Sequence, residues 1–331
     1  MPKLLEGRVA VVTGAGRGMG RAHALAIAGQ GAKVVVNDLG GATDGTGASK
    51  APADEVVEHI RQAGGTAVAN YDSVATPEGA ENMVKAATDN FGQMDILVNN
   101  AGMFRDRMLF NMTDEEWDAV VKVHLYGTFY CTRAASRPMR EQKYGRIINI
   151  SSTSGLGQVG QSNYCAAKEG IVGFTRAVAK DLGKYGVSCN AIRPRAATRM
   201  NFTDELYEAR KASMGAEKAE EWRRSLEACR PEDVSPLVVY LASPQAGNVN
   251  GCVFDIAHNF IGIYDDPPRL HRTIMKKEGR WLPEELVELM PKTLVAGLEE
   301  QPLVPSRRLT PDARGWEWGE GMLKEVTPQA P

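Results

Sequence analysis

Residues 9–20 read Val-Ala-Val-Val-Thr-Gly-Ala-Gly-Arg-Gly-Met-Gly, and a helical pattern follows as far as Gln30. A β-branched run that breaks into glycines and then a helix is the opening turn of an α/β unit. Glycines there let backbone amides close on a pyrophosphate, and the N-terminus of the following helix favours negative charge. A glycine cluster alone can serve tight packing, so its setting matters. Asp38 closes the next β-branched run, within Val36-Asn37-Asp38-Leu39. A carboxylate in that place accepts hydrogen bonds from the ribose hydroxyls of NAD and repels the 2′-phosphate of NADP. Arg17 pulls the other way, since a guanidinium in the glycine turn can partner that phosphate. The carboxylate is the better-placed discriminator, so NAD is the expected cofactor. Gly14, Arg17, Gly18, Met19, Gly20 and Asp38 are the candidate binding residues. Asp72 and Ser73, just past the third strand, are candidates for the adenine end, with strand-end capping as the plainer role.

The rhythm begun there continues over roughly the first 260 residues. Apolar runs at 9–13, 33–38, 66–70, 96–99, 146–151, 188–192 and 252–255 read as strands. Longer helical patterns at 53–63, 78–91, 114–137 and 164–182 separate them. Apolar strands alternating with helices predict an α/β, Rossmann-type doubly wound parallel sheet of about seven strands, helices on both faces. The sheet domain is assigned to residues 1–264. Within it, 201–230 is charged, rich in helix formers and placed after a strand end. It reads as a substrate lid, with a plain surface helical pair as the alternative. Residues 265–331 form a C-terminal helical and irregular appendage, with apolar residues over 282–298 and a poorly ordered end.

Tyr164 and Lys168 lie four apart in Asn163-Tyr164-Cys165-Ala166-Ala167-Lys168, a dozen residues after Ser151-Ser152. Residues four apart share a helix face, so phenol and ammonium address one small molecule. A neighbouring Lys⁺ favours the phenolate, which makes Tyr164 an expected acid/base, with a serine hydroxyl holding the reacting oxygen.

The formal net charge of −2 argues against nucleic-acid binding, which needs a basic surface to neutralise phosphates. The five cysteines are dispersed and form no C-x-x-C pair, as in a reduced cytoplasmic protein rather than a disulfide or zinc scaffold. No apolar stretch is long enough to span a bilayer, the start leaves no room for a cleaved signal, and the chain does not end Ser-Lys-Leu. No metal site is expected.

Taken together, the T-G-x-x-x-G-x-G turn, Asn99-Asn100-Ala101-Gly102, the serines and Tyr-x-x-x-Lys resemble the short-chain dehydrogenase/reductase family over about residues 5–262. The resemblance implies Tyr164 as general acid/base, with Lys168 holding the nicotinamide ribose and lowering the Tyr164 pKa. It implies that Asn99, Ala101 and Gly102 border the cofactor, and that 194–198, with Pro194, Ala197 and Thr198, closes over the nicotinamide end. For the serine, spacing to the tyrosine picks Ser151, whereas spacing to Gly155 picks Ser152. The loop between is one residue short, so Ser152 is preferred. The place of the family's relay asparagine holds His124, either a proton-relay residue or a core histidine satisfied by backbone.

Val35–Leu39 with Gly40-Gly41, the 69–74 and 104–107 segments and Val123-His124-Leu125 resemble one branch closely. It is the (3R)-hydroxyacyl-CoA dehydrogenase domain of the peroxisomal multifunctional β-oxidation enzyme, with its bacterial relatives. The implied activity is NAD-dependent oxidation of a secondary alcohol, a 3-hydroxyacyl-CoA, to the ketone. A steroid or other bulky cyclic alcohol is the alternative substrate, and a dinucleotide-binding protein without turnover the remote one. Arg195 and Arg199, and the run Arg269, Arg272, Lys276, Lys277 and Arg280, are candidate partners for acyl-CoA phosphates; solvated surface charge is the competing reading of the run. The family also implies a homodimer or homotetramer built on the Tyr–Lys helix and its neighbour.

Overall fold

The computed structural model describes residues 3–202, 204–265, 268, 273–275 and 282–294. The basic run at Arg269, Arg272, Lys276, Lys277 and Arg280 lies outside the described residues, as does the end of the chain. The chain divides into two compact units, Met1–Asp266 and Pro267–Pro331.

The first unit holds eight strands: β1 (Val9–Thr13), β2 (Lys33–Asn37), β3 (Ala67–Asn70), β4 (Ile96–Asn99), β5 (Gly145–Ile150), β6 (Val187–Arg195), β7 (Val253–Ala257) and β8 (Phe260–Ile263). They form one sheet in the order β3-β2-β1-β4-β5-β6-β7-β8. All neighbours are parallel except β7 and β8, an antiparallel pair. The sheet therefore has one strand more than expected, because the chain turns back after β7 through His258, whose φ is +45°. The strand order reverses between β1 and β4, and such a switch point leaves a crevice at the carboxyl ends of the strands.

Strand residues point alternately to the two faces, and both faces are covered. Ala10 and Val12 of β1 join Val34, Val36, Ile96 and Val98 in a core closed by helices α1 (Gly18–Gly29), α2 (Ala51–Gln62) and α9 (Pro231–Ala242). Val9 and Val11 face the opposite way. Their core includes Leu97, Ile147 and Cys189, under α3 (Pro77–Phe91), α5 (Gly127–Glu141) and α6 (Ser162–Gly183). Each fully buried aliphatic side chain contributes roughly 1.5–3 kcal/mol, so the two-sided core is the main stabilising term.

The long helical pattern at 114–137 becomes α4 (Asp114–Val121), one π-helical turn at Lys122–Tyr126, and α5. A capping box opens it: the Thr113 hydroxyl accepts from the Glu116 amide, and the Glu116 carboxylate accepts from the Thr113 amide. Residues 201–230 form two helices, α7 (Asp204–Met214) and α8 (Ala216–Glu227). In the second unit the short helix α10 (Pro283–Leu289) runs into a 3₁₀ turn at Met290–Lys292.

Candidate active site

β1 hands the chain to α1 through a turn that tolerates only glycine at two points. Gly14 has φ +62°, and a Cβ there would lie 2.8 Å from Ala101 Cα. A Cβ on Gly20 would lie 2.1 Å from the Gly14 carbonyl oxygen, so the first turn of α1 can close onto β1 only without a side chain. The turn and the ends of β2, β3 and β4 enclose a cleft of about 270 Å³. Gly14, Arg17, Gly18, Met19, Gly20 and Asp38 line it at the turn, Asp72 and Ser73 at the β3 end, and Ala101, Gly102 and Thr198 opposite. Sequence reasoning missed Asn100, Met103, Val123 and Met200, which line it too, and Arg199, expected at acyl-CoA phosphates, lines it as well. Asn100 was visible inside the Asn-Asn-Ala-Gly run; its amide donates to the carbonyls of Thr13 (3.0 Å) and Gly14 (3.1 Å).

The Asp38 carboxylate is fixed from both sides. One oxygen accepts from the Gly16 amide at 2.7 Å and the other from the Gly40 amide at 2.6 Å. Asp72 reaches the cleft with its carboxylate already engaged, by Asn70 at 2.7 Å and Asn82 at 3.0 Å. Five other cofactor candidates do not line the cleft: Asn99, Tyr164, Lys168, Pro194 and Ala197. Asn99 turns its side chain into the core and donates to Thr132 (3.0 Å) and Asn149 (2.8 Å), tying β4 to β5 and α5. Pro194 stays within β6, paired with Ile256 of β7. Ala197 donates its amide to Cys229 at 2.6 Å.

Ser152, Tyr164 and Lys168 meet behind Met103 and Phe104. The Tyr164 ring is packed by Phe104 (centroids 4.6 Å apart) and His124 (5.0 Å), and Lys168 Nζ lies 5.5 Å from its centroid. Ser152 lies close enough to Tyr164 for its hydroxyl to favour the phenolate, the one influence that lowers the Tyr164 pKa. Ser152 opens a 3₁₀ turn, Thr153–Leu156, its hydroxyl accepting from the Ser154 amide at 3.1 Å. Ser151 is buried and donates to the Lys168 carbonyl at 2.8 Å. Arg193, also buried, donates to the Ser152 carbonyl (3.0 Å) and to the Glu169 carboxylate (2.8 Å), clamping the serine turn to α6. No local signal could have announced that role, because Arg193 is 41 residues from Ser152.

Electrostatics here departs from expectation. Burial is the largest influence on Tyr164 and raises its pKa above the ordinary tyrosine range, against the lowering by the Ser152 hydroxyl. Lys168 is not among the influences on that pKa; its ammonium donates to the Ile150 carbonyl at 2.6 Å, and burial pushes its own pKa down to about 7. His124 occupies the π-helical turn, a feature common at functional positions. Its Nε2 lies 2.8 Å from the Met103 carbonyl oxygen and 3.1 Å from the Met103 nitrogen, so the tautomer decides which bond forms. Nδ1 has no hydrogen-bond partner. Burial, then the charge of Lys168, holds the His124 pKa well below its usual value.

The two arginines proposed for acyl-CoA phosphates part company. Arg195 lies 4.0 Å from Asp255, on the β6–β7 side. Arg199 reaches across the dinucleotide cleft and donates to the Gly41 carbonyl at 3.1 Å. Among the described residues no helix is long and apolar enough to cross a membrane.

Comparison with known proteins agrees with this geometry. The family model for short chain dehydrogenase matches residues 8–210. A short-chain type dehydrogenase/reductase of Mycobacterium tuberculosis is 50% identical over 245 residues, covering 74% of this chain and 80% of the relative. The hydroxyacyl-CoA dehydrogenase ChsB1 of the same organism is 42% identical, covering 85% and 87%. Mouse peroxisomal multifunctional enzyme type 2 is 44% identical over 86% of this chain, which spans only 36% of that longer protein. A crystal structure of a short chain dehydrogenase from Mycobacterium avium superposes with a TM-score of 0.74 at 41% identity, covering 91% of this chain and 98% of that one.

Proposed function

The chain belongs to the short-chain dehydrogenase family of oxidoreductases, and from that premise we propose that it is an NAD-dependent dehydrogenase converting a 3-hydroxyacyl-CoA to the 3-ketoacyl-CoA. The observation that carries the reaction type is the buried pair Tyr164 and Lys168, with half-buried Ser152, beside a glycine-walled cleft. The names of two relatives, a hydroxyacyl-CoA dehydrogenase and a peroxisomal multifunctional enzyme, support the acyl-CoA class.

The cleft suits a nicotinamide dinucleotide. Gly14 and Gly20 let the start of α1 close tightly onto the turn after β1 at the cleft, and Asp38 presents an anchored carboxylate at the end of β2. Those glycines and the start of α1 would hold the pyrophosphate, and Asp38 the adenine ribose of NAD. When bound, the nicotinamide ring takes up or returns the hydride. Ser152 fixes the reacting oxygen and Tyr164 exchanges its proton. With the phenol held protonated by burial, the acid needed for ketone reduction is ready near neutral pH; alcohol oxidation requires that proton to leave. Lys168 lies beside Tyr164 to carry it, and His124, its Nδ1 unpartnered, continues the path towards water. Residues 201–230 are the lid of the 1–264 domain, and the enzyme works as a cytoplasmic homodimer or homotetramer.

Initial rates with a panel of 3-hydroxyacyl-CoA esters and cyclic alcohols, each with NAD and with NADP, test the proposal. Turnover of an acyl-CoA with NAD is expected. Turnover of cyclic alcohols alone, or with NADP alone, would overturn the substrate or the cofactor respectively.

A further inference from the structure

We infer that Arg199 binds a phosphate group on the adenosine half of the dinucleotide, a role that rests on the cleft taking such a cofactor.

The turn that carries Arg199 is preformed. Asn201 Oδ1 accepts from both the amide (2.9 Å) and the hydroxyl (3.1 Å) of Thr198, and Asn201 Nδ2 donates to the Ala196 carbonyl at 2.9 Å. Thr198 faces the glycine turn, its methyl 3.6 Å from where a Gly18 Cβ would stand. From this knot Arg199 extends over the cleft to the Gly41 carbonyl. That neutral acceptor is the one hydrogen bond it makes among the described residues.

The charges around it do not balance. Arg17 lines the same cleft, and its charge, after burial, disfavours the Arg199 cation, while Asp38 favours it. Asp38 neutralises neither arginine by contact: each of its oxygens accepts a backbone amide, and among the described residues it forms no ion pair with either guanidinium. Two cations thus flank one anchored carboxylate at the opening of α1. A phosphate, multiply charged and an acceptor on every side, offsets their repulsion and takes a charge-assisted bond from Arg199. Asp72, the remaining charged group of the cleft, has its carboxylate engaged by Asn70 and Asn82.

Two phosphates share this chemistry: the pyrophosphate present in every nicotinamide dinucleotide and the 2′-phosphate of its phosphorylated form. Calorimetric titration of the full chain with ADP-ribose and with 2′-phospho-ADP-ribose separates them. Wild type, Arg199→Gln and Arg199→Lys are compared, with circular dichroism confirming that each is folded. Arg199→Gln is expected to weaken ADP-ribose about tenfold, the scale of one charged hydrogen bond, with part recovered by Arg199→Lys. An equal loss for both ligands assigns Arg199 to the pyrophosphate, and a loss confined to the 2′-phosphorylated ligand assigns it to the ribose. Unchanged affinity for both overturns the inference while leaving the dinucleotide site intact. If wild type binds neither ligand, the dinucleotide reading fails and this inference with it.

Discussion

The hydroxyl of Ser151 donates to the backbone carbonyl of Lys168 at 2.8 Å, so the residue before the proposed catalytic serine is tied to the helix bearing Tyr164 and Lys168. One residue on, the Ser152 hydroxyl accepts from the Ser154 amide at 3.1 Å and weighs on the Tyr164 phenol. Adjacent serines at the end of β5 thus point to opposite sides, as neighbouring side chains of extended chain must.

This division predicts unequal losses. Ser152→Ala should lower kcat roughly a hundredfold or more, the scale of removing one donor to a reacting oxygen. Ser151→Ala should leave kcat within a few-fold and cost about 1 kcal/mol of stability, since it removes one buried hydrogen bond. Steady-state rates and urea midpoints on both variants check this; equal loss of turnover would show that both hydroxyls serve the reaction.

Lys168 gives a pH signature. Burial pushes it down to about 7, against roughly 10.4 in the unfolded chain. Between those values the unfolded chain binds a proton that the folded lysine has released, so stability from this group rises with pH. The cost of burying the charge is full below about 7 and gone near 10.4. Cys131 and Cys189, both raised to about 12 by burial, act in the opposite sense once thiols ionise above about 8.5 in the unfolded chain. The measurement is therefore the stability difference between wild type and Lys168→Met, which should grow in favour of wild type by up to about 1.4 kcal/mol per pH unit above 7. A difference that stays flat from pH 7 to 10 contradicts the burial effect.

Gly102 and His124 should be energetically coupled. Gly102 lines the cleft, and a Cβ on it would stand 2.5 Å from Cε1 of the buried His124 ring. Gly102→Ala should cost about 1–3 kcal/mol, and much less in a His124→Ala background where the ring is gone. Denaturant unfolding of the double-mutant cycle measures this; additive losses would mean that the alanine is strained by something other than the ring.

Arg193 acts on turnover through Ser152. Replacing it with methionine removes the clamp between the Ser152 carbonyl and Glu169, and a loosened serine turn should lower kcat at least tenfold. Dinucleotide affinity should remain unchanged, because Arg193 does not line the cleft. Arg193→Lys should recover part of kcat. Parallel loss of cofactor binding and turnover would point instead to general disruption of β6.

The sequence by itself determined what depends on short-range geometry. The β-branched run with its glycine turn, the acid closing β2, and Tyr164 four residues before Lys168 each declare themselves within a few residues. Strand polarity followed from alternation with helices. The antiparallel β8 escaped because its only mark is a four-residue run after a tight turn. Tertiary structure alone decided that Ser151 ties back to α6, that Asn99 braces the core instead of the cleft, and that burial raises the Tyr164 pKa. It also brought Arg193 to Ser152 and Arg199 over Gly41, across separations of 41 and 158 residues. Desolvation and partner choice depend on what surrounds a side chain from every direction, and most of those neighbours are distant in sequence.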